Sequence, residues 1–267
     1  MNEHTVDVSI DTAGGEVGTG LSCPHALNEP LKKASAILRS FAWDAYMAEF
    51  VGTFFLVLTI GLNVVQGNDL APLSIGAILM VMIFAMGSVS GGHFNPAVTL
   101  AVWLSRRQKI TLRDAGIYWV VQLLAGLVAG LTYSGVLGAS FALEPIDDKR
   151  GTIMSACLVE ILYTCALCLV ILNVATTNQD TPNHYFGLAI GSTVGSAAIA
   201  IGGVSGCSLN PAVSFGVTIT HVLTMESEGR HWDYIGLYLA APLVGAALAA
   251  AIFYAVRPAE YGGKKDK

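Results

Sequence analysis

Charge nearly vanishes from six stretches of this chain, at about 45–66, 73–92, 115–138, 152–174, 185–204 and 234–256. Each reaches the ~20 apolar residues that a helix needs to cross a bilayer, so the pattern predicts six membrane spans. Two shorter apolar segments, 96–104 and 211–222, fall well below that length. Each begins with the same tripeptide, Asn95-Pro96-Ala97 and Asn210-Pro211-Ala212, with a Ser-Gly turn upstream and Val next in line. Asn caps the first amides of a helix, and Pro at the following position has the right φ and lacks only an amide that would be unpaired anyway. Both segments are therefore predicted to be half-helices that start inside the apolar phase. Backbone that is not helical at that depth is tolerated only where protein buries it or where it lines a water-filled path, so two such starts point to a pore.

Composition strengthens the membrane reading. The 267 residues are 54% hydrophobic and 12% charged, with a mean hydropathy of +0.61, whereas a soluble domain carries about 25% charge. The net charge of -5 carries little weight, because the asymmetry of Lys and Arg orients a membrane protein. Six spans place both ends of the chain on one side. That side holds 11 of the 14 basic residues, from Lys32, Lys33 and Arg39 through Arg106, Arg107, Lys109 and Arg113 to Arg257, Lys264, Lys265 and Lys267, while Lys149, Arg150 and Arg230 fall opposite. Both termini are accordingly expected in the cytoplasm.

Residues 1–40 are polar and Gly-rich with no apolar core and no secretory-leader pattern, and are expected to be a disordered cytosolic tail. A short surface helix over 31–41 is the alternative. The channel domain is expected at 41–258, with repeat one at 45–138, repeat two at 152–256 and a short cytosolic tail at 259–267. Of the five Cys, four lie in or beside spans and Cys23 in the tail, so a disulfide framework is not expected, and Cys165 and Cys168 read as buried apolar thiols without a second pair to make a metal site.

The chain also repeats itself. Ala48-Glu49-Phe50-Val51-Gly52-Thr53 opens one span and Val159-Glu160-Ile161-Leu162-Tyr163-Thr164 another, 111 positions later (49 to 160); the tripeptides are 115 apart (95 to 210). Three spans per copy is an odd number, so the second copy crosses the membrane upside down and the two are related by a pseudo-two-fold axis in the membrane plane. The half-helices then meet head to head, with their positive N-termini converging at the midplane.

With these features the chain resembles the aquaporin (major intrinsic protein) family over 45–258: paired Asn-Pro-Ala boxes behind Ser-Gly, an Ala-Glu-Phe opening and an inverted odd-span repeat. The resemblance implies an all-α membrane protein with six transmembrane helices plus two re-entrant half-helices, assembled as a homotetramer with one pore per subunit. Its partners would be water, small neutral solutes and the lipid bilayer. In such an arrangement the amides of Asn95 and Asn210 offer N–H donors to a passing water or hydroxylated solute, turning its hydrogens outward and breaking a proton-conducting chain. Pro96 and Pro211 start the half-helices, and Ala97 and Ala212 let their tips touch. Val98 lines the pore after the first box. Glu49 and Glu160, ionisable groups inside spans, are expected to orient the re-entrant loops.

Counted by the family's spacing, the selectivity filter falls at Ile75, Ala198, Cys207 and Val213. Most members carry Arg after the second box; here it is Val213, which removes a fixed cation. The expected filter is wider and apolar, similar to the tonoplast-type branch that passes water with urea, ammonia or hydrogen peroxide; for this chain glycerol is expected beside them, and the likeness slightly favours a vacuolar or other internal membrane over the plasma membrane. Cys207 offers a thiol by which a mercurial would block the path. Ser214 stands where glycerol channels of the family usually carry Asp, whereas Leu239 after Tyr238 is similar to the glycerol type, so strict glycerol specificity is not implied.

Gly126 and Gly130, and Gly187, Gly191 and Gly195, lie at small-xxx-small spacing and are expected at close helix crossings. His93, His184 and His221 are read as structural, hydrogen-bonded residues. No catalytic motif, cofactor, metal site or nucleic-acid partner is expected. Two other readings stay open from sequence: a coupled secondary transporter, since inverted repeats with broken helices also build those, and a poorly conducting junctional or scaffolding member of the same fold.

Overall fold

Among the described residues of the computed structural model, six helices are long and apolar enough to cross a membrane, and two shorter ones lie between them. The structure describes residues 41–145, 153–178, 181–225 and 232–262. In chain order the helices are α1 (Trp43–Val65), α2 (Ala71–Ser90), α3 (Pro96–Leu104), α4 (Leu112–Leu137), α5 (Ile153–Thr176), α6 (Phe186–Ser205), α7 (Pro211–Thr224) and α8 (Ile235–Val256), followed by a 3-10 turn at Pro258–Tyr261. The half-helices are α3 and α7. Every span boundary agrees with the hydropathy pattern to within three residues. The 1–40 tail and the predicted positions of Lys149, Arg150, Arg230 and 263–267 lie outside the described residues.

Local chemistry sets the helix ends. Asn95 and Asn210 cap α3 and α7 from extended backbone, each accepting from the amide two residues on (2.8 and 2.9 Å) with Pro at the first helical position. Thr111 caps α4 through Asp114 N. Gly91 and Gly206 end α2 and α6 in the left-handed region, φ 89° and 79°, where a side chain would be strained.

Packing follows the duplication. Exchanging α1 with α5, α2 with α6, α3 with α7 and α4 with α8 maps the packed pairs onto one another: α1 on α4 matches α5 on α8, α4 on α7 matches α8 on α3, and α2 on α6 maps onto itself. The self-matching crossing is made by glycines. A Cβ on Gly76 would sit 2.6 Å from the Gly191 carbonyl oxygen and one on Gly191 2.4 Å from that of Gly76, and these two residues are themselves 115 apart. Likewise α4 touches α7 backbone to backbone, where a Cβ on Gly126 would lie 2.4 Å from the Ala212 carbonyl and one on Gly216 2.4 Å from that of Gly126. Close approach replaces the hydrophobic drive that lipid cannot supply.

The outward faces are apolar: Leu73, Met154 and Ile199 are at least two-thirds exposed, a distribution suited to lipid and not to water. Buried polar groups are held inside. Pro242 interrupts α8 and donates nothing to the Tyr238 carbonyl, and the hydroxyl of Ser214 on α7 donates there instead, at 3.1 Å. Packing also continues past residue 258: Arg107, in the α3–α4 connection, pairs with Glu260 at 3.1 Å, donates to Thr176 O at 3.0 Å and stacks 4.3 Å from the centre of the Phe253 ring. These contacts put the α3–α4 connection, the end of α5 and the end of α8 on one face, called here the terminal face.

Candidate functional site

Each re-entrant loop is hung from a buried carboxylate one helix away. Glu49, on α1 and fully buried, accepts from His93 N (2.9 Å), Phe94 N (2.7 Å), Ser90 Oγ (2.7 Å) and Gln122 Nε2 (2.8 Å). Glu160, on α5 and equally buried, accepts from Ser208 N (2.9 Å), Leu209 N (2.8 Å) and Ser205 Oγ (2.7 Å). Amides of non-helical backbone at membrane depth need partners, and a carboxylate supplies two acceptor atoms at once. Each loop's outer end is tied by a tyrosine: Tyr118 donates to Ser90 O at 2.7 Å and Tyr238 to Ser205 O at 2.6 Å.

The loops are held in uncommon conformations. Phe94 and Leu209 have φ of 49° and 52°, and Cys207 has φ 56° where its counterpart in the first loop is Gly92, φ 64°. Left-handed backbone costs a residue with a Cβ roughly 1–2 kcal/mol, which the bonds to Glu49 and Glu160 offset. The result turns the Phe94 and Leu209 carbonyls toward the opposite half of the chain. Asn95 Nδ2 donates to Leu209 O at 2.8 Å, and Asn210 Nδ2 to Phe94 O at 2.9 Å. The asparagines thus cap their own helices through oxygen and brace the other loop through nitrogen. An amide nitrogen carries two hydrogens, so one N–H on each remains for a solute, not both.

Both asparagines open onto one cavity of about 420 Å³, reaching toward the face opposite the terminal one, where Phe141, Ala142, Leu143 and Glu144 form its rim. Ile75, Ala198, Cys207, Val213 and Val98 all line it. Pro96, Ala97, Pro211 and Ala212 do not; they are fully enclosed at the tips of α3 and α7. Glu49 and Glu160 stay behind the loops and away from the cavity. Gly92, His93, Cys207 and Ser208 face it from the loops, and their amides are taken up by Ser90 Oγ, Glu49, Ser205 Oγ and Glu160 respectively. Among the described residues nothing donates to their carbonyl oxygens, which leaves a row of acceptors beside the two amide donors.

The rest of the wall is aliphatic, and apart from Ile75 and Ala198 it had not been singled out from the sequence. Leu56 and Ile60 on α1 face Leu167 and Ile171 on α5, while Ile75, Leu79 and Ile83 on α2 face Ile190, Val194 and Ala198 on α6. The signal was available: these are i, i+4 stripes, and each pair is offset by the 111 or 115 residues of the duplication. Gln122 was also missed. It is fully buried, donating to both Glu49 and Thr99 Oγ1 (3.1 Å), and a lone Gln in an apolar helix gives no hint of its partners. His93 is a satisfied loop residue, 3.0 Å from Thr99 Oγ1, and His221 lies 3.0 Å from Ser140 Oγ. Cys165 and Cys168 are buried free thiols.

Comparison with known proteins gives a consistent result. The profile of the family described as Major intrinsic protein matches residues 36–254. The chain is 39% identical over 213 residues to glycerol uptake facilitator protein-like 6 of Lactiplantibacillus plantarum, covering 77% of this chain and 94% of that one. It is 33% identical over 259 residues to nodulin-26 of Glycine max, covering 94% and 91%. Among solved structures, an aquaglyceroporin from Plasmodium falciparum shares the fold with a TM-score of 0.71 at 23% identity, over 84% of this chain and 100% of that one.

Proposed function

Because this chain belongs to the major intrinsic protein family, and so is an integral membrane channel for water and small solutes and not an enzyme, we propose that its pore passes water and small uncharged solutes and excludes protons. The observation that carries this reading is the lining: an aliphatic tube with paired Asn95 and Asn210 donors, a row of loop carbonyls, and Val213 where a fixed cation would stand. A solute sheds its hydration shell against the aliphatic wall and recovers hydrogen bonds only along the polar strip. At the midplane the free N–H of each asparagine takes the solute oxygen and turns its hydrogens away, so no hydrogen-bonded chain of water runs through.

Charge is opposed by the half-helices themselves. Each N-terminus carries roughly half a positive charge, so α3 and α7 together act as about one charge beside the path. A cation at roughly 4 Å in an effective dielectric of about 20 meets about 4 kcal/mol, or roughly a thousandfold in passage. The neutral solutes assigned are glycerol, urea, ammonia and hydrogen peroxide, and the glycerol uptake facilitator-like relative supports the polyol among them. The assembly is a homotetramer with both termini cytoplasmic, by the excess of Lys and Arg on that side.

Osmotic shock of proteoliposomes, followed by light scattering, tests the reading, first with sucrose and then with glycerol or urea as the gradient. Water flow well above that of empty vesicles, re-swelling in glycerol or urea, and no collapse of a pH gradient are expected. Shrinkage no faster than in empty vesicles overturns the channel, and solute flux that follows a proton or sodium gradient replaces it with a coupled transporter.

A further inference from the structure

The duplication that makes one filter makes a second. Ile75, Ala198, Cys207 and Val213 have as their repeat counterparts Ile190, Ile83, Gly92 and Val98, and all four line the same cavity. Depth agrees as well as sequence offset. Ile75 lies four residues into α2 and Ile190 four into α6, while Ala198 lies seven before the end of α6 and Ile83 seven before the end of α2. The first set therefore stands on one side of the asparagine pair and the second, inverted, on the side of the terminal face.

Resting on the channel reading above, we infer that the size limit for solutes is set by this second ring, with Ile83 its decisive side chain. Ile83 occupies the place that Ala198 holds in the first ring, three carbon atoms larger, and Gly92 opposite contributes only backbone. The ring is the tighter one: Ile83, Val98 and Ile190 are 1–3% exposed, whereas in the first ring only Val213 is so enclosed, at 3%, while Ile75 is 8% exposed and Ala198 and Cys207 are more open still. The path is also divided at this level. A second cavity of about 380 Å³ lies at the terminal face, lined by Lys109, Ile110 and Thr176, and it shares only His93 and Ile171 with the first. The larger cavity thus ends, going inward, at the level of His93 and Ile171, past Ile83 and Ile190 in its wall, and not at Val213.

The full chain reconstituted in proteoliposomes tests this with glycerol and the four-carbon polyol erythritol. Ile83→Ala is expected to raise the ratio of erythritol uptake to water flow severalfold, and Ile83→Val to raise it by less. Ala198→Ile combined with Cys207→Gly, which gives the first ring the same four side chains as the second, is expected to lower glycerol uptake at most to about half, as two equal barriers in series do. Erythritol uptake unmoved by Ile83→Ala and Ile83→Val in a water-conducting parent, or glycerol uptake abolished by the paired Ala198→Ile and Cys207→Gly change, places the limit at the first ring and overturns the inference. A parent chain that conducts no water instead overturns the channel reading on which it stands.

Discussion

Removing the Glu160 carboxylate should unfasten the second re-entrant loop. In Glu160→Ala the amides of Ser208 and Leu209, now bonded at 2.9 and 2.8 Å, and the Ser205 hydroxyl at 2.7 Å lose their acceptor at full burial. A buried donor left without a partner costs about 1–3 kcal/mol, so the two amides alone amount to about 2–6 kcal/mol. For a domain of this size that corresponds to roughly 5–20 °C in the unfolding midpoint. Function falls with it, because the same loop places Cys207 and Asn210 on the cavity wall. Intrinsic-fluorescence unfolding in detergent and stopped-flow water flow in proteoliposomes measure the two effects together. Glu160→Gln keeps one acceptor oxygen but turns an NH₂ toward a backbone amide, and should fall between parent and Ala. Leu162→Ala, half-exposed to lipid on the same helix, is the control and should shift little. A Glu160→Ala protein that melts within about 2 °C of the parent and conducts water fully refutes the role given to this carboxylate.

Three further outcomes are expected. Val213→Arg restores a cation beside Cys207 and should suppress urea and glycerol uptake while water still flows; unchanged uptake would remove Val213 from the filter. Gly126→Ala drives a methyl to 2.4 Å from the Ala212 carbonyl, a contact that overpacks by about 1–3 kcal/mol or more, so expression of folded protein, read by size-exclusion profile, should drop sharply, whereas Gly116→Ala on the same helix, with open space around it, should be silent. Mercurials should block water flow through Cys207, which is partly exposed and lines the cavity, and Cys207→Ser should abolish the block; a Cys207→Ser protein that is still inhibited would put the reactive thiol elsewhere.

How far the fold could be read in the sequence depended on whether a feature is local. Hydropathy located all six spans to within three residues, since the bilayer thickness imposes one length on them, and the Asn-Pro pairs located α3 and α7 because a helix cap is a short-range event. That Asn95, Asn210, Ile75, Ala198, Cys207 and Val213 lie along one cavity could be counted from the boxes. What could not be read were bonds across the chain. That Asn95 Nδ2 turns to Leu209 O, or that Gln122 reaches Glu49, depends on two segments over seventy residues apart meeting in one orientation. The aliphatic stripes failed for a different reason: a Leu facing the pore and a Leu facing lipid have the same hydropathy, and only the pairing of repeats tells them apart.

The crossed asparagines bear on how such a protein comes into being. Their bonds join residues 114 and 116 positions apart, Asn95 to Leu209 and Asn210 to Phe94, and neither donor has that acceptor until the other half of the chain is in the membrane. During synthesis the first three spans must wait, with an unbraced loop, for partners not yet made. The aperture is therefore the last element to mature and belongs to neither copy alone. Two separately expressed halves that find each other in a bilayer should conduct, while either one by itself should insert and remain sealed.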